Sequence, residues 1–137
     1  MSGAGYIVEV FTELIVDGEC DSIKLEYPAV YTYSQDEQKI EYTEISEDGI
    51  RQEVCVLASQ DGVVINRAGG AFVLDLRCKT GELLYDSPAG QIPLSYITKY
   101  CRTELGETGG ELLIAYTLDI GGVASENSLR ITVRPGN

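Results

Sequence analysis

Hydrophobic and polar residues alternate at a period of two along most of this chain, and a helical period is almost absent. Near the C-terminal end Leu112, Ile114, Tyr116, Leu118 and Ile120 fall on one phase, with Glu111, Thr117 and Asp119 on the other. Leu129, Ile131 and Val133 repeat the pattern against Ser128, Arg130, Thr132 and Arg134. A period of two places alternate side chains on opposite faces of a strand, so one face of each segment is built for burial. Turn signals break the pattern at short intervals: Asp17-Gly18, Asp48-Gly49, Asp61-Gly62, Gly69-Gly70, Gly109-Gly110 and Gly121-Gly122 among them. The spacing predicts nine or ten strands, near 5–16, 21–34, 38–47, 50–59, 62–68, 71–79, 82–87, 91–105, 109–121 and 127–134.

Two segments carry a competing signal. Ile7, Val10, Phe11, Leu14 and Ile15 fit a helical stripe as well as a strand, but β-branched and aromatic residues dominate and no helix N-cap precedes them. Ile50, Val54, Leu57 and Ala58 do so more weakly, and Asp48-Gly49 before them reads as a two-residue hairpin. Pro28 and Pro93 predict bends, since proline donates nothing to a ladder. Consecutive hairpins favour an up-and-down order, and closing the sheet removes its exposed edges. The expected fold is therefore all-β: one antiparallel up-and-down barrel of 8–10 strands, with room for one short helix at an end.

Length fits a single domain over residues 1–137. No window holds the ~18 apolar residues of a membrane helix, and the segment Met1-Ser2-Gly3-Ala4-Gly5 lacks a basic n-region, so no secretory signal is expected. Cys20, Cys55, Cys78 and Cys101 stand singly, with no CxxC pair and no histidine in the chain. That spacing is poor for zinc, and reduced thiols in a cytoplasmic protein are the expectation; no metal or cofactor is called for. The net charge of −12 argues against nucleic acid and against anionic membranes. Residues 1–60 hold 13 acidic and 3 basic side chains. Such a face serves solubility, or attracts a basic partner. Without histidine, the Ser-His-Asp and Cys-His arrangements are excluded, and no carboxylate pair singles itself out; no catalytic residue is assigned.

The polar residues on apolar phases carry the chemistry. Glu44 follows Ile40 and Tyr42 in phase; Arg67 follows Val63 and Ile65. Either both sit at strand tips in water, or they pair as a polar anchor inside a greasy interior, where a lone buried charge would be costly. Nine tyrosines stand against two phenylalanines and no tryptophan. Tyr27, Tyr31 and Tyr33 share a phase with Ile23 and Leu25, and Tyr96 and Tyr100 share one with Ile92 and Leu94. Each ring packs, and each hydroxyl needs a partner.

The runs Tyr31-Thr32-Tyr33, Ile40-Glu41-Tyr42-Thr43-Glu44, Val63-Val64-Ile65-Asn66-Arg67-Ala68-Gly69, Tyr85-Asp86-Ser87-Pro88-Ala89-Gly90 and Gly110-Glu111-Leu112-Leu113-Ile114-Ala115-Tyr116 resemble the bacterial YwiB-like family, over about residues 6–134. Ser87 departs from the threonine more usual in its relatives, and the lipocalin Gly-x-Trp signature is missing. The resemblance implies a calycin-like, lipocalin-like barrel in a family of unknown function. By analogy with that architecture it implies a small apolar or amphipathic ligand in the interior, with Arg67, Glu44, Tyr85 and Tyr116 as the matching positions and Tyr42 beside them. Ile114, Tyr116, Leu118, Leu129 and Ile131 are expected to wall the cavity, and Arg67 to meet an acidic head group. The alternatives are an interaction module with a filled core, working through its acidic face or a sheet edge and able to form a homodimer, and, more remotely, a carboxylate-dependent hydrolase.

Overall fold

The structure, a computed structural model, describes residues 2–46, 48–67, 70–75, 80–87 and 90–136, with side chains for all of these except 2–4, 70, 75, 80 and 83–87. Ten strands form one antiparallel sheet: β1 (Ser2–Val16), β2 (Glu19–Tyr33), β3 (Glu37–Ile45), β4 (Arg51–Ser59), β5 (Gly62–Arg67), β6 (Gly70–Asp75), β7 (Thr80–Ser87), β8 (Gly90–Gly106), β9 (Gly109–Ile120) and β10 (Val123–Pro135). The expected short helix is absent among the described residues, and so is any helix long and apolar enough to cross a membrane.

The order β6-β5-β4-β3-β2-β1-β10-β9-β8-β7 is a meander in which each strand neighbours its successor and β1 joins β10. The sheet's two outer strands, β6 and β7, curl round to meet, giving a nearly closed up-and-down barrel. Twist accumulates across a sheet with a fixed hand, and a wide sheet with one greasy face closes on that face. The inward phase is the one read from the sequence. Val8 and Val10, Ile40 and Tyr42, Val54, Val56 and Ala58, Val63 and Ile65, Leu112 and Ile114, and Leu129, Ile131 and Val133 are all buried. The ambiguous first segment is thus a strand, with Ile7, Glu9 and Phe11 turned outward.

Local chemistry sets the turns. Asp17 and Gly18 both take positive φ, 51° and 80°, the requirement of a type I′ turn whose twist suits the flanking strands. The connection after β3 differs from expectation. Ile45 pairs with Arg51, Ser46 N–H donates to Ile50 O, and Ser46 Oγ accepts from Ile50 N–H, so the loop spans 46–50 instead of two residues. At Gly110, with φ of 146°, any side chain would run into the backbone carbonyl of Glu104.

Two irregularities move residues off the expected faces. A bulge between Thr98 and Tyr100 inserts Lys99 without a partner on β9, and an inserted residue reverses the phase beyond it. Tyr96 is therefore buried at 3% exposure while Tyr100 is 46% exposed; the two do not share a face. The second irregularity is the parting of β2 from β3. Their ladder covers only Ala29–Tyr33, while Pro28 and everything before it pair with β1 alone. Ile23 and Leu25 keep the phase of Tyr27 but gain no cover and stay 55% and 41% exposed. By contrast Pro93 pairs with Leu84 inside an unbroken β8.

Candidate functional site

Glu44 ends the inward phase of β3 and Arg67 ends that of β5, so both lie at the same end of the barrel. Arg67 reaches across β4, and its Nη1 donates to Glu44 Oε1. The side chains remain 34% and 27% exposed respectively, so the pair forms at the strand tips and is not enclosed in the interior. A partly exposed pair of this kind contributes little to stability, about 0–1 kcal/mol. Its value is positional: it holds charge at the lip of an apolar interior.

Aromatic rings surround it. Continuing the β2–β3 register past Ala29 would set Tyr27 opposite Glu44, but the ladder stops there. The Tyr27 ring instead stacks on Tyr42, with centroids 5.4 Å apart and planes at 18°. Burial raises the Tyr42 pKa to about 12; the Arg67 guanidinium opposes the rise, and the Glu44 carboxylate adds to it. Tyr27 shifts upward from burial and from Glu44, with Arg67 and the backbone N–H of Ile45 pulling the other way. From β9, Tyr116 is also raised by burial and lowered by Arg67. One guanidinium is thus within electrostatic range of three phenols. Phe72 on β6 completes the ring system, 5.1 Å from Tyr96 and 6.3 Å from Tyr116 between centroids.

Of the expected site residues, Arg67 and Glu44 pair, and Tyr42 and Tyr116 lie within electrostatic range of Arg67. The side chain of Tyr85 lies outside the described residues, as do Pro88 and Ala89 of its turn, the Ala68-Gly69 pair, and Cys78. Tyr27 belongs to the site and was missed as a site residue, although its phase with Tyr31 announced it. Thr98 was missed as well. It faces inward opposite Tyr116, is 1% exposed, and among the described residues its hydroxyl has no hydrogen-bond partner. Only strand parity could have pointed to it.

Below the mouth the expected cavity wall is different from the expectation. Ile114, Leu129 and Ile131 pack into the continuous core with Val8, Val56 and Leu112, and Tyr116 and Leu118 are partly buried against it. At the far end Tyr31 donates its hydroxyl to Gly106 O at 2.7 Å, and Tyr6 packs edge-on against it at 5.4 Å. That end is plugged. A hollow of about 690 Å³ lies across β2–β5, and Tyr27, Tyr42 and Arg67 are among its lining residues. Alternation turns most of the rest of the lining outward, including Pro28, Val30, Glu41, Thr43 and Glu53. Cys20 and Cys55 are free thiols, and burial pushes Cys55 upward, away from reactivity. Among the described residues no group of histidine, cysteine or carboxylate side chains is placed to hold a metal ion.

Comparison with known proteins agrees with this architecture. A family model described as "Domain of unknown function (DUF1934)" matches residues 8–131. The crystal structure of the ywiB protein from Bacillus subtilis is similar over 99% of this chain and 94% of its own, at 22% identity and a TM-score of 0.81. A structure of unknown function from Bacteroides ovatus aligns with 98% of this chain and 42% of its own, at 12% identity and a TM-score of 0.35. No curated protein matches.

Proposed function

The chain belongs to the DUF1934 family, whose function is unassigned, and from that premise we propose that its barrel mouth binds a small amphipathic molecule with an acidic head. The observation that supports this is Arg67, paired with Glu44 at a barrel lip and in one hollow with the stacked rings of Tyr27 and Tyr42. Arginine presents a fork of N–H donors, and Glu44 engages Nη1, so the rest of the fork is suited to a second oxyanion. The stacked phenols offer flat apolar surface to the ligand body, and the Thr98 hydroxyl offers a polar contact deeper in. Because the core below is packed, the ligand would be short and held at the rim. Nothing in this reading calls for catalysis, and a cytoplasmic location suits it.

Thermal unfolding with a panel of medium-chain and aromatic carboxylates, beside their methyl esters, tests the proposal. The acids are expected to raise Tm and the esters are not. Arg67→Met removes the response. Glu44→Gln, which removes the competing carboxylate, tightens binding roughly three- to tenfold, about 0.7–1.4 kcal/mol. Equal responses to acid and ester, or a full response in Arg67→Met, would overturn the proposal.

A further inference from the structure

The parting of β2 from β3 leaves a bare strand edge. From Glu19 to Glu26 every residue is exposed, and β1 is the segment's sole ladder partner among the described residues. On the side away from β1, alternate N–H and C=O groups of this stretch face outward, as they do on any edge strand. Natural edges of this length are usually covered, bulged or studded with lysine. This one is straight through Glu19–Val16 to Ala29–Tyr6 in an unbroken register with β1. Ile23 and Leu25 stand on one of its faces, 55% and 41% exposed.

Charge decides what fits the edge. Lys24 is drawn to Glu9 at 3.7 Å, and Glu26 is held by Arg134 at 2.6 Å. Asp17, Glu19 and Asp21 have no ion-pair partner among the described residues, and the thiol of Cys20 lies 4.0 Å from Glu13. The bare backbone is thus flanked by unpaired carboxylates and two exposed aliphatic side chains. Two copies of the edge brought together would set these carboxylates against one another, in a chain of net charge −12. A basic strand would not meet that repulsion.

We propose that the Glu19–Glu26 edge of β2 is a docking site for an extended, lysine- or arginine-bearing segment of another protein, which adds as an eleventh strand. Main-chain hydrogen bonds supply the affinity of such a mode, and the alternate side chains supply its specificity. Aliphatic residues of the incoming strand cover Ile23 and Leu25, and its basic residues meet Asp21 and Glu19. The site is independent of the barrel mouth, and Arg67 plays no part in it.

The probe is the ten-residue peptide Thr-Val-Thr-Val-Thr-Lys-Thr-Lys-Thr-Lys, which on adding antiparallel sets valine against Leu25 and Ile23 and lysine against Asp21 and Glu19 on one face; it is titrated into the full chain, with the same peptide carrying glutamate for lysine beside it. The lysine peptide is expected to bind, and backbone amides within 19–26 are expected to slow in hydrogen exchange when it does. Ser22→Pro, which leaves the charge untouched and removes an amide that faces the bare edge, abolishes both effects. Asp21→Lys with Glu19→Lys weakens binding about tenfold or more, and salt weakens it in the wild type. Circular dichroism and the Tm of each variant report that the barrel is intact. Binding that persists in a folded Ser22→Pro variant, or protection spread over the acidic surface without a focus at β2, overturns the proposal. So does a concentration-dependent wild-type dimer that Ser22→Pro dissolves, since the edge would then be occupied by a second copy.

Discussion

Tyr42 is 6% exposed, and burial holds its phenol protonated far into alkaline solution, with a pKa of about 12 against 10.0 for a free tyrosine. Ionisation creates the charge that the interior opposes, so the unfolded chain loses this proton first. Stability owed to the neutral phenol is complete below pH 10.0 and is lost as pH climbs toward 12. Denaturant midpoints measured from pH 8 to 12 should therefore fall less steeply in Tyr42→Phe than in the wild type. A parallel fall in the two proteins would mean that the Tyr42 environment is wetter than described. The ion pair behaves differently. Glu44→Gln and Arg67→Met are each expected to change unfolding free energy by about 1 kcal/mol or less, because both side chains keep contact with water. A loss of several kcal/mol in either would place the pair deeper than the mouth.

At the scale of strands, tyrosine hydroxyls serve where the ladder fails. Between β6 and β7 the sheet has a seam, and there the Val73 N–H donates to Tyr96 Oη at 2.8 Å. Tyr96 belongs to β8 and reaches β6 by passing over Gly81 of β7, its register partner. Any side chain at Gly81 would run into the ring. Tyr96→Phe leaves a backbone donor unmet and should cost about 1–3 kcal/mol. Gly81→Ala should cost at least as much by displacing the ring, and the Val73 amide should exchange faster in both variants. An unchanged Val73 amide would assign the seam to other contacts. The strands themselves were legible from alternation, because burial on one face imposes a period of two whatever the neighbours. What was not legible was partner length. Ile23 and Leu25 carry the same pattern as Tyr31, and only the early end of the β2–β3 ladder separates exposed from buried. The Lys99 bulge was hidden for the same reason: a single inserted residue leaves composition unchanged and reverses every side chain after it.

Across the whole molecule the candidate site was half written in the sequence. Glu44 and Arg67 were visible as charges on apolar phases, and their meeting required β4 to lie between them, which hairpin order supplies. Tyr116 comes from the far side of the barrel, and its approach to Arg67 depends on closure, a property of the assembled sheet. The two halves of the sheet that closure brings round are joined at β1 and β10, from Tyr6 opposite Pro135 to Ile15 opposite Glu126. During synthesis β1 therefore waits for β10. Until β10 emerges, Val8 and Val10 lack one of their two neighbours, and the growing chain carries an open sheet with its greasy side uncovered. Contacts so distant in sequence slow folding to milliseconds or longer in proteins of this class. Refolding of the intact chain should be slow and sensitive to Leu129→Ala and Ile131→Ala. Nascent chains released before β10 should be caught by chaperones or proteases, which makes translation itself the period of greatest vulnerability for this protein.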